Sequence, residues 1–304
     1  MKASLRSNFG KYLAKAIIWS GAVKRAVKKI QNGDYMLCFC FHAPSKEFFS
    51  ECVGWLTKQG FHFISVYELE EIVNGQKPFP RKAVVLTIDD GWQSNLDNIV
   101  PVAVQNGVPV EIFVSTDVVE KGNGYWWSYI KEARRVGLSK ESVEFFKTID
   151  NEDRLRIIEE TKRKIQLKRE ALTVDQVKEI AKTKYVTISS HTASHPILPR
   201  CSNEVSKYEI VHSKEKLEDW INQEVTHFAY PKGDYSNREI SFLKRFGYTI
   251  AFSTEQTYIT RERLKNPFNL PRLMMVESST FEENICRMVG VWPLKPHKKM
   301  VVYP

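Results

Sequence analysis

The sequence predicts an α/β protein, an irregular (β/α) barrel of about seven parallel strands with a helical insertion and an amino-terminal amphipathic helix. Short apolar runs alternate with helix-like stretches from residue 34 onward, which is typical of parallel strands that are buried on both faces. Seven or eight such units are enough to close a barrel. With 304 residues, 42% of them apolar, the chain can bury a large core, which argues against disorder.

The predicted strands are apolar runs separated by stretches with helical spacing. They are YMLCFCF (35–41), FHFISV (61–66), AVVLTI (83–88), VPVEIFV (108–114), YVTIS (185–189), VTHFAY (225–230), YTIAFS (248–253) and FNLPRLMM (268–275). Helices are predicted between them, for example at NREISFLKRFG, which ends in the glycine expected of a helix stop. Residues 122–183 are charged and rich in helix-forming residues, so we predict a helical insertion between the fourth and fifth strands of a domain that covers residues 34–304.

Residues 1–33 form a separate basic segment. They contain eight of the 45 basic residues and no acidic residue, and their apolar residues recur at helical spacing. No apolar run reaches the roughly 20 residues needed to cross a bilayer, and the segment fits a secretory signal poorly. Two interpretations stay open: an amphipathic helix packed on the domain, or an interfacial helix on an anionic membrane. We expect a cytoplasmic protein, peripheral on the inner face of the membrane under the second interpretation.

The charge and cysteine content of the remaining chain exclude other classes. Residues 34–304 hold 37 basic and 36 acidic residues, so the domain is nearly neutral and no nucleic-acid partner is expected. The five cysteines show no CxxC spacing, which argues against a disulfide framework and against a cysteine zinc knuckle. This cysteine usage suits a reducing compartment.

Polar residues follow four of the predicted strands. MLCFCF leads into His42, AVVLTI into Asp89-Asp90-Gly91, YVTISS into HTASHP (191–196), and VTHFAY into Pro231-Lys232-Gly233-Asp234. The carboxyl ends of the strands in a barrel of this kind form the active-site rim. We therefore predict that these carboxylates and imidazoles meet in one site.

Two of these motifs have the composition of a metal site. His191 and His195 are four residues apart, which places two imidazoles on one side of a helical turn. With one carboxylate oxygen from the Asp89-Asp90 pair they make three ligands and leave one position open, the pattern of catalytic zinc. The alternatives are ordinary histidines beside a proline turn and aspartates that cap a helix.

These residues resemble the motifs of the polysaccharide deacetylases (NodB homology, carbohydrate esterase family 4). Thr87-Ile88-Asp89-Asp90-Gly91 is similar to the T-F-D-D-G motif of that family, and HTASHP is similar to its H-[ST]-x-x-[HN]-P motif. Residues 228–235, FAYPKGDY, resemble a variant of the third motif, R-x-P-Y-G. The resemblance extends over residues 35–275 and implies the same barrel fold.

The resemblance also implies roles for individual residues. Asp90, His191 and His195 would bind a divalent metal, commonly zinc, and Asp89 would be the general base. The oxyanion would be held by the metal and by a main-chain N–H, that of Lys232. Tyr230 and Lys232 of the third motif are both expected at the substrate and oxyanion site.

Trp126 and Trp127 follow the end of the fourth predicted strand. Sugar rings stack well on indole, so we expect both residues to contact the substrate. Packing in the core is the alternative.

Two departures from the family pattern affect the remaining roles. The arginine of the third motif is not evident, with His227 near its place, and Arg272 is expected to steady Asp89 instead. The late histidine that protonates the leaving amine is also missing, since the only histidine after LPRLMM is His297 in a basic tail. We predict that His42 is the general acid, because the first and last strands of a closed barrel are neighbours. A core histidine is the alternative.

The function predicted is metal-dependent removal of an N-acetyl group from an amino sugar. The sugar is expected to belong to a nucleotide- or lipid-linked precursor of lipopolysaccharide or surface polysaccharide, or to an oligosaccharide. An O-acetyl esterase or a deformylase on the same scaffold is an alternative enzyme. A carbohydrate-binding module that has lost its chemistry is the alternative outside the enzymes. The chain contains no serine nucleophile elbow, phosphate loop or HExxH motif.

Overall fold

The centre of the fold is a curled sheet of nine strands. In the computed structural model, which describes residues 2–33 and 35–292, the strands are β1 (Tyr35–Phe41), β2 (His62–Phe63), β3 (Ala83–Ile88), β4 (Val110–Val114), β5 (Val186–Ser190), β6 (His227–Ala229), β7 (Ile250–Phe252), β8 (Ile259–Thr260) and β9 (Leu273–Met274). Their order in the sheet is β7-β6-β5-β4-β3-β1-β8, and β2 and β9 pair with β3 and β1 respectively. The pairs are parallel except β1 with β8.

A short segment near the end of the chain joins the two ends of this sheet. Leu270 forms a parallel bridge with Phe252 in β7, and β9 pairs with β1 through Phe39 and Cys40. Seven strands, β1, β3, β4, β5, β6, β7 and β9, thus form an irregular barrel. The predicted fold class is confirmed, and the first and last strands are neighbours.

Fifteen α-helices surround the sheet. They are α1 (Lys2–Trp19), α2 (Ala22–Asn32), α3 (Lys46–Lys58), α4 (Val66–Val73), α5 (Ser94–Asn98), α6 (Val100–Asn106), α7 (Thr116–Lys121), α8 (Trp126–Arg135), α9 (Val143–Phe146), α10 (Asn151–Lys162), α11 (Val174–Ala181), α12 (Asn203–Ile221), α13 (Asn237–Arg245), α14 (Arg261–Leu264) and α15 (Phe281–Met288) among the described residues. Helices α8 to α11 lie in the stretch 122–183, between β4 and β5.

The alternation of side chains along the strands separates two cores. Met36 and Cys38 of β1 belong to the cluster inside the barrel, with Val85, Phe113 and Phe252 from other strands. The alternate residues of the same strands pack outward against the helices. Strands whose two faces are both covered are apolar throughout, and all but the first residue of β1 and every residue of β3 and β4 are buried.

Both helices of the amino-terminal segment pack on the rest of the domain. Val23, Val27 and Ile30 of α2 are buried in the outer core, and α1 contacts α15. Trp19, at the end of α1, is 92% exposed. Within the described residues no helix combines the length and apolarity that crossing a membrane requires.

Candidate metal centre and active site

A cavity opens at the carboxyl ends of the barrel strands. Its volume is about 530 Å³, and the residues that follow β1, β3, β5 and β6 line it, among them His42, Asp89, Asp90, His191 and Lys232. The prediction that polar residues after the strands share one site therefore agrees with their placement.

The backbone of these loops departs from regular structure. Asp90, Thr192, His195 and Lys232 have positive φ angles of 78°, 69°, 56° and 60°, a left-handed region that residues other than glycine rarely adopt. Such conformations cluster at functional sites, where surrounding contacts hold them. The turn begins at Asp90 itself and continues through Gly91, φ 81°, so Asp89 and Asp90 both reach the cavity. Neither aspartate caps a helix, since α5 begins at Ser94 after Gln93.

Asp90, His191 and His195 converge on one point. Oδ1 of Asp90 lies 3.5 Å from Nε2 of His191 and 3.3 Å from Nε2 of His195. This oxygen is buried and takes part in no hydrogen bond, whereas Oδ2 of the same carboxylate accepts a hydrogen bond from Nε1 of Trp92 at 2.8 Å. One oxygen is oriented by the indole and the other is left facing two imidazole nitrogens.

The protonation state of His191 suits a metal ligand. Its Nδ1 lies 2.7 Å from the carbonyl oxygen of Ala229, and an N–H donated there leaves the lone pair on Nε2. Burial lowers the pKa of His191 to about 4, so the ring is neutral at physiological pH. A neutral imidazole is the form that binds a metal.

The three donors fit a tetrahedral divalent ion. Ligands about 2.0–2.1 Å from a tetrahedral zinc are about 3.4 Å from each other, close to the two distances measured from Asp90. An orphaned buried carboxylate oxygen is costly unless a cation or a donor compensates it. Zinc fits both the donor set and the spacing.

A second group of possible ligands, Cys40, His42 and Asp89, lies beside the first, but its chemistry is different. Arg272 donates from Nη1 to Oδ1 of Asp89 at 2.6 Å and from Nη2 to Oδ2 at 2.8 Å. Burial raises the pKa of the Cys40 thiol well above its usual value, and the thiol donates to Oδ2 of Asp89 at 3.2 Å. A guanidinium and a protonated thiol leave no role for a second cation.

Arg272 also sets the charge of Asp89. Burial by itself raises the pKa of this carboxyl, but the guanidinium of Arg272 outweighs burial and holds the pKa below its usual range. Both side chains are almost completely buried. Asp89 is therefore ionised at neutral pH, and one lone pair of Oδ1 remains free for a further hydrogen bond.

His42 lies at the end of β1, next to this pair. One of its nitrogens is within 4.8 Å of the Asp89 carboxylate, its side chain lines the cavity, and its carbonyl oxygen accepts a hydrogen bond from Asn95 at 2.9 Å. His297, the alternative late histidine, lies outside the described residues.

The predicted insertion supplies one wall of the cavity. Trp126 and Trp127 both line it, and both are partly exposed. Nε1 of Trp126 donates to the carbonyl of His195 at 3.1 Å, and the ring of Trp127 meets that of His195 edge-on, with centroids 4.5 Å apart. The two tryptophans thus contact the candidate metal site as well as the cavity.

The third motif is only partly in the cavity. Lys232 lines it and pairs with Asp234 at 2.6 Å. Tyr230 is fully buried, points outward from β6 into the outer core, and donates its hydroxyl to the carbonyl of Phe268 at 2.9 Å, so its side chain is not among those that line the cavity. His227 is buried inside the barrel between Glu111 and Glu70, at 2.8 and 3.1 Å.

Three contacts of the site have no precedent in the sequence reasoning. They are the indole of Trp92 on Asp90, the thiol of Cys40 on Asp89, and the hydroxyl of Tyr125, which donates to the carbonyl of Asp90 at 2.9 Å. In the sequence, only position points to the first two of these contacts: Trp92 lies two residues after Asp90, and Cys40 lies two residues before His42.

Comparisons with known proteins agree with this fold and give the family of the chain. A family model described as polysaccharide deacetylase matches residues 76–251. The chain is 24% identical over 279 residues to the poly-beta-1,6-N-acetyl-D-glucosamine N-deacetylase of Escherichia coli K12, covering 82% of this chain and 36% of that protein. The chain thus spans little more than a third of that relative.

Solved structures give the same result for the fold. The deacetylase PplD of Streptococcus pyogenes, in complex with acetate, superposes with a TM-score of 0.62 at 19% identity, covering 84% of this chain and 98% of that one. IcaB from Ammonifex degensii superposes with a TM-score of 0.62 at 16% identity, covering 85% and 97%.

Because the family model covers more than half of the sequence, the chain belongs to the polysaccharide deacetylase family.

Proposed function

We propose that the protein is a metal-dependent N-deacetylase that removes acetyl groups from amino sugars of a surface polysaccharide or of its lipid-linked precursor. The observation that carries the proposal is the orphaned Oδ1 of Asp90, which faces Nε2 of His191 and of His195. It lies in a cavity that also contains the ionised Asp89. The N-acetylglucosamine polymer named for the Escherichia coli relative supports the substrate class.

Asp90, His191 and His195 are the residues that would hold the metal. A divalent ion there supplies a Lewis acid and lowers the pKa of a water molecule from 15.7 to about 7. Trp92 fixes the rotation of the Asp90 carboxylate, and Ala229 fixes the ring of His191. These contacts hold the ligand atoms in place before any ion arrives.

Asp89 and His42 divide the proton transfers of amide hydrolysis between them. Asp89, kept ionised by Arg272, accepts a proton from the attacking water through the free lone pair of Oδ1. His42 donates a proton to the nitrogen of the departing amine. The main-chain N–H of Lys232, at the left-handed turn after β6, faces the developing oxyanion.

The substrate is an extended saccharide with an acetamido group directed at the metal site. A cavity of about 530 Å³ accommodates one or two sugar rings, and Trp126 and Trp127 offer aromatic faces to them. The same site chemistry acts on O-acetyl esters, so a panel of substrates that includes an O-acetylated sugar distinguishes the two activities.

Peripheral membrane contact through residues 1–33 is a further part of the proposal. Six exposed basic residues lie on α1 and α2, namely Lys11, Lys15, Lys24, Arg25, Lys28 and Lys29. The exposed Trp19 stands at the elbow between the helices. Helices that lie on anionic lipid typically combine an exposed tryptophan with lysines and arginines.

The experiment compares the wild type with Asp89→Asn for bound zinc and for acetate release. The substrates are N-acetylglucosamine oligomers, a sugar nucleotide, a lipid-linked sugar and an O-acetylated sugar. We expect the variant to keep the metal and to lose acetate release by at least about 100-fold, the contribution typical of a general base. Retained activity would refute the role of Asp89, and a wild type that binds no divalent metal would refute the proposal.

A further inference from the structure

We propose that the helical insertion is a structural part of the metal centre, in which Tyr125 and Trp126 are positioning residues for Asp90 and His195. This inference rests on the proposed metal site. Each of the two side chains donates a hydrogen bond to the main-chain carbonyl of one metal-binding residue. The insertion thereby fixes the two turns that carry the ligands, although it contributes no ligand itself.

Tyr125 contacts the first of these turns. Its hydroxyl donates to the carbonyl of Asp90 at 2.9 Å, and its ring is fully buried, stacked on Trp127 at 4.6 Å and packed against Trp92 at 4.5 Å. Trp92 is the residue that orients the Asp90 carboxylate. Tyr125 therefore holds Asp90 through its main chain and supports the indole that holds its side chain.

Trp126 contacts the second turn. Its Nε1 donates to the carbonyl of His195 at 3.1 Å, at a residue whose Nδ1 is buried without a hydrogen-bond partner. The orientation of the His195 ring therefore depends on its backbone and on its neighbours. Trp126 is in turn held by the buried guanidinium of Arg154 in α10, 5.1 Å from the indole ring, a favourable cation–π contact.

Residues 170–172, in the later part of the insertion, contact the same turn as Tyr125. Trp92 and Ala171 form an antiparallel bridge, and Leu172 donates its main-chain N–H to the carbonyl of Gly91 at 3.0 Å. The carboxylate of Glu170 accepts the main-chain N–H of Tyr125 at 2.9 Å. Both ends of the insertion are thus tied to each other and to residues 90–92.

The left-handed backbone explains why such support is needed. Asp90 and His195 both have positive φ angles, which side-chain sterics disfavour. Contacts from outside the turns must therefore hold them. Partners that orient metal ligands in this way typically change metal affinity by 10- to 100-fold when they are lost.

The test is the zinc affinity of the full chain, measured by competition with a chromophoric chelator. Tyr125→Phe removes one hydroxyl and keeps the ring, and Trp126→Phe removes the indole N–H. We expect zinc binding to weaken by about tenfold in each variant. Tyr258→Phe is the matched control, because its hydroxyl donates to the carbonyl of Val289 at 2.6 Å, on a tyrosine that packs on the first residue of β1, at the opposite end of the barrel. We expect its zinc affinity to equal that of the wild type.

Wild-type zinc affinity in both variants would overturn the inference. So would an equal loss in Tyr258→Phe, because the effect would then follow general destabilisation, which urea unfolding of the three variants measures in parallel. If the wild type binds no zinc, the proposed metal site itself fails. A wild type that binds zinc beside unaffected variants refutes only the role of the insertion.

Discussion

At the scale of single residues, the contact between Asp89 and Arg272 determines the charge of the proposed base. Two hydrogen bonds join a carboxylate and a guanidinium that are both shielded from water. Such a pair is costly to break from one side, since about 3–5 kcal/mol is lost when a buried charge keeps no partner. The same contact that stabilises the fold therefore keeps the proposed base ionised.

Replacing Arg272 by glutamine tests this dual role. Without the cation the pKa of Asp89 rises, so the base becomes protonated at a higher pH and the acidic limb of the kcat/KM profile moves upward. We also expect the free energy of unfolding to fall by about 3 kcal/mol or more. The pH–rate profile and urea unfolding measure the two effects.

Arg135→Gln is the control, since Arg135 makes a similar two-bonded pair with Glu132 on the surface of α8. Exposed pairs contribute at most about 1 kcal/mol to stability. Neither Arg135 nor Glu132 contacts Asp89, so we expect the acidic limb of the pH–rate profile to stay unchanged. An unchanged acidic limb in Arg272→Gln would contradict the assignment of Asp89 as the group that titrates there.

Residue patterns could predict the site only where polar groups follow strands. Asp89, Asp90, His191 and His195 stand at strand ends, where a titratable side chain is conspicuous. Trp92 and Tyr125 look like ordinary core residues in the sequence. Their hydrogen bonds to the site depend on the path of the insertion, which residue spacing does not predict. Tyr230 was expected at the substrate and oxyanion site, but the alternation of side chains along β6 turns its ring into the outer core and away from the cavity.

At the scale of elements, the packing of α2 agrees with the first interpretation of the amino-terminal segment, and membrane contact remains a proposal. The apolar face of α2 is buried on the barrel, as expected of a packed helix, while Trp19 and the lysines remain exposed. Lys15 lies 3.7 Å from Glu282 in the first turn of α15.

Vesicle binding by the full chain tests the proposed membrane contact. We expect sedimentation with vesicles of phosphatidylcholine and phosphatidylglycerol, and none with phosphatidylcholine alone. Replacing Lys24 and Lys28 of α2 by glutamine removes about 1 kcal/mol per charge, so binding should weaken by about 30-fold. Lys178→Gln with Lys182→Gln, at the end of α11, makes the same charge change elsewhere and should have little effect. Equal loss in both double variants would leave only a general charge effect.

The limits of β1 and β3 were predicted correctly, whereas the other predicted strands differ from the observed ones by one residue or more at their ends. The predicted and observed limits of β1 and β3 coincide, because charged or titratable residues flank both ends of these largely apolar runs. The predicted strands at 61–66 and 268–275 shrink to β2 and β9, since Pro271 lacks an N–H for pairing and Val66 begins α4. The antiparallel β8, two residues long, has no recognisable sequence pattern.

A buried charged cluster inside the barrel makes the stability of the whole molecule depend on pH. His227 lies between Glu111 and Glu70, with the ring of Tyr67 at 4.8 Å. Burial alone lowers the pKa of His227, but the two carboxylates outweigh it and raise the pKa to about 9. The imidazolium therefore binds its proton more tightly in the folded protein than in the unfolded chain, whose value is about 6.5.

The stability from this proton is complete below about pH 6.5 and is lost as the pH rises through about 9. We expect the free energy of unfolding of the wild type, relative to that of His227→Gln, to decline by a few kcal/mol over this range. Urea unfolding at a series of pH values measures the difference, in which the titration of the buried cysteines cancels. Parallel curves for the two proteins would contradict a charged His227.

The fold class was predictable because it depends on a repeated pattern, apolar runs alternating with helices, which survives errors at individual boundaries. The closure of the barrel was inferred from strand number alone. Its physical basis, a bridge at Leu270 and the pairing of β9 with β1, involves too few residues to leave a pattern in the sequence.

The seam between β1 and β9 has a consequence for synthesis of the chain. More than 230 residues separate Phe39 from Leu273, its partner across the seam, and Arg272 comes next to that partner. A nascent chain that has not yet released this late segment from the ribosome holds Asp89 without its counter-charge. The proposed base therefore gains its buried cation only after translation has passed residue 272, long after β3 has been made.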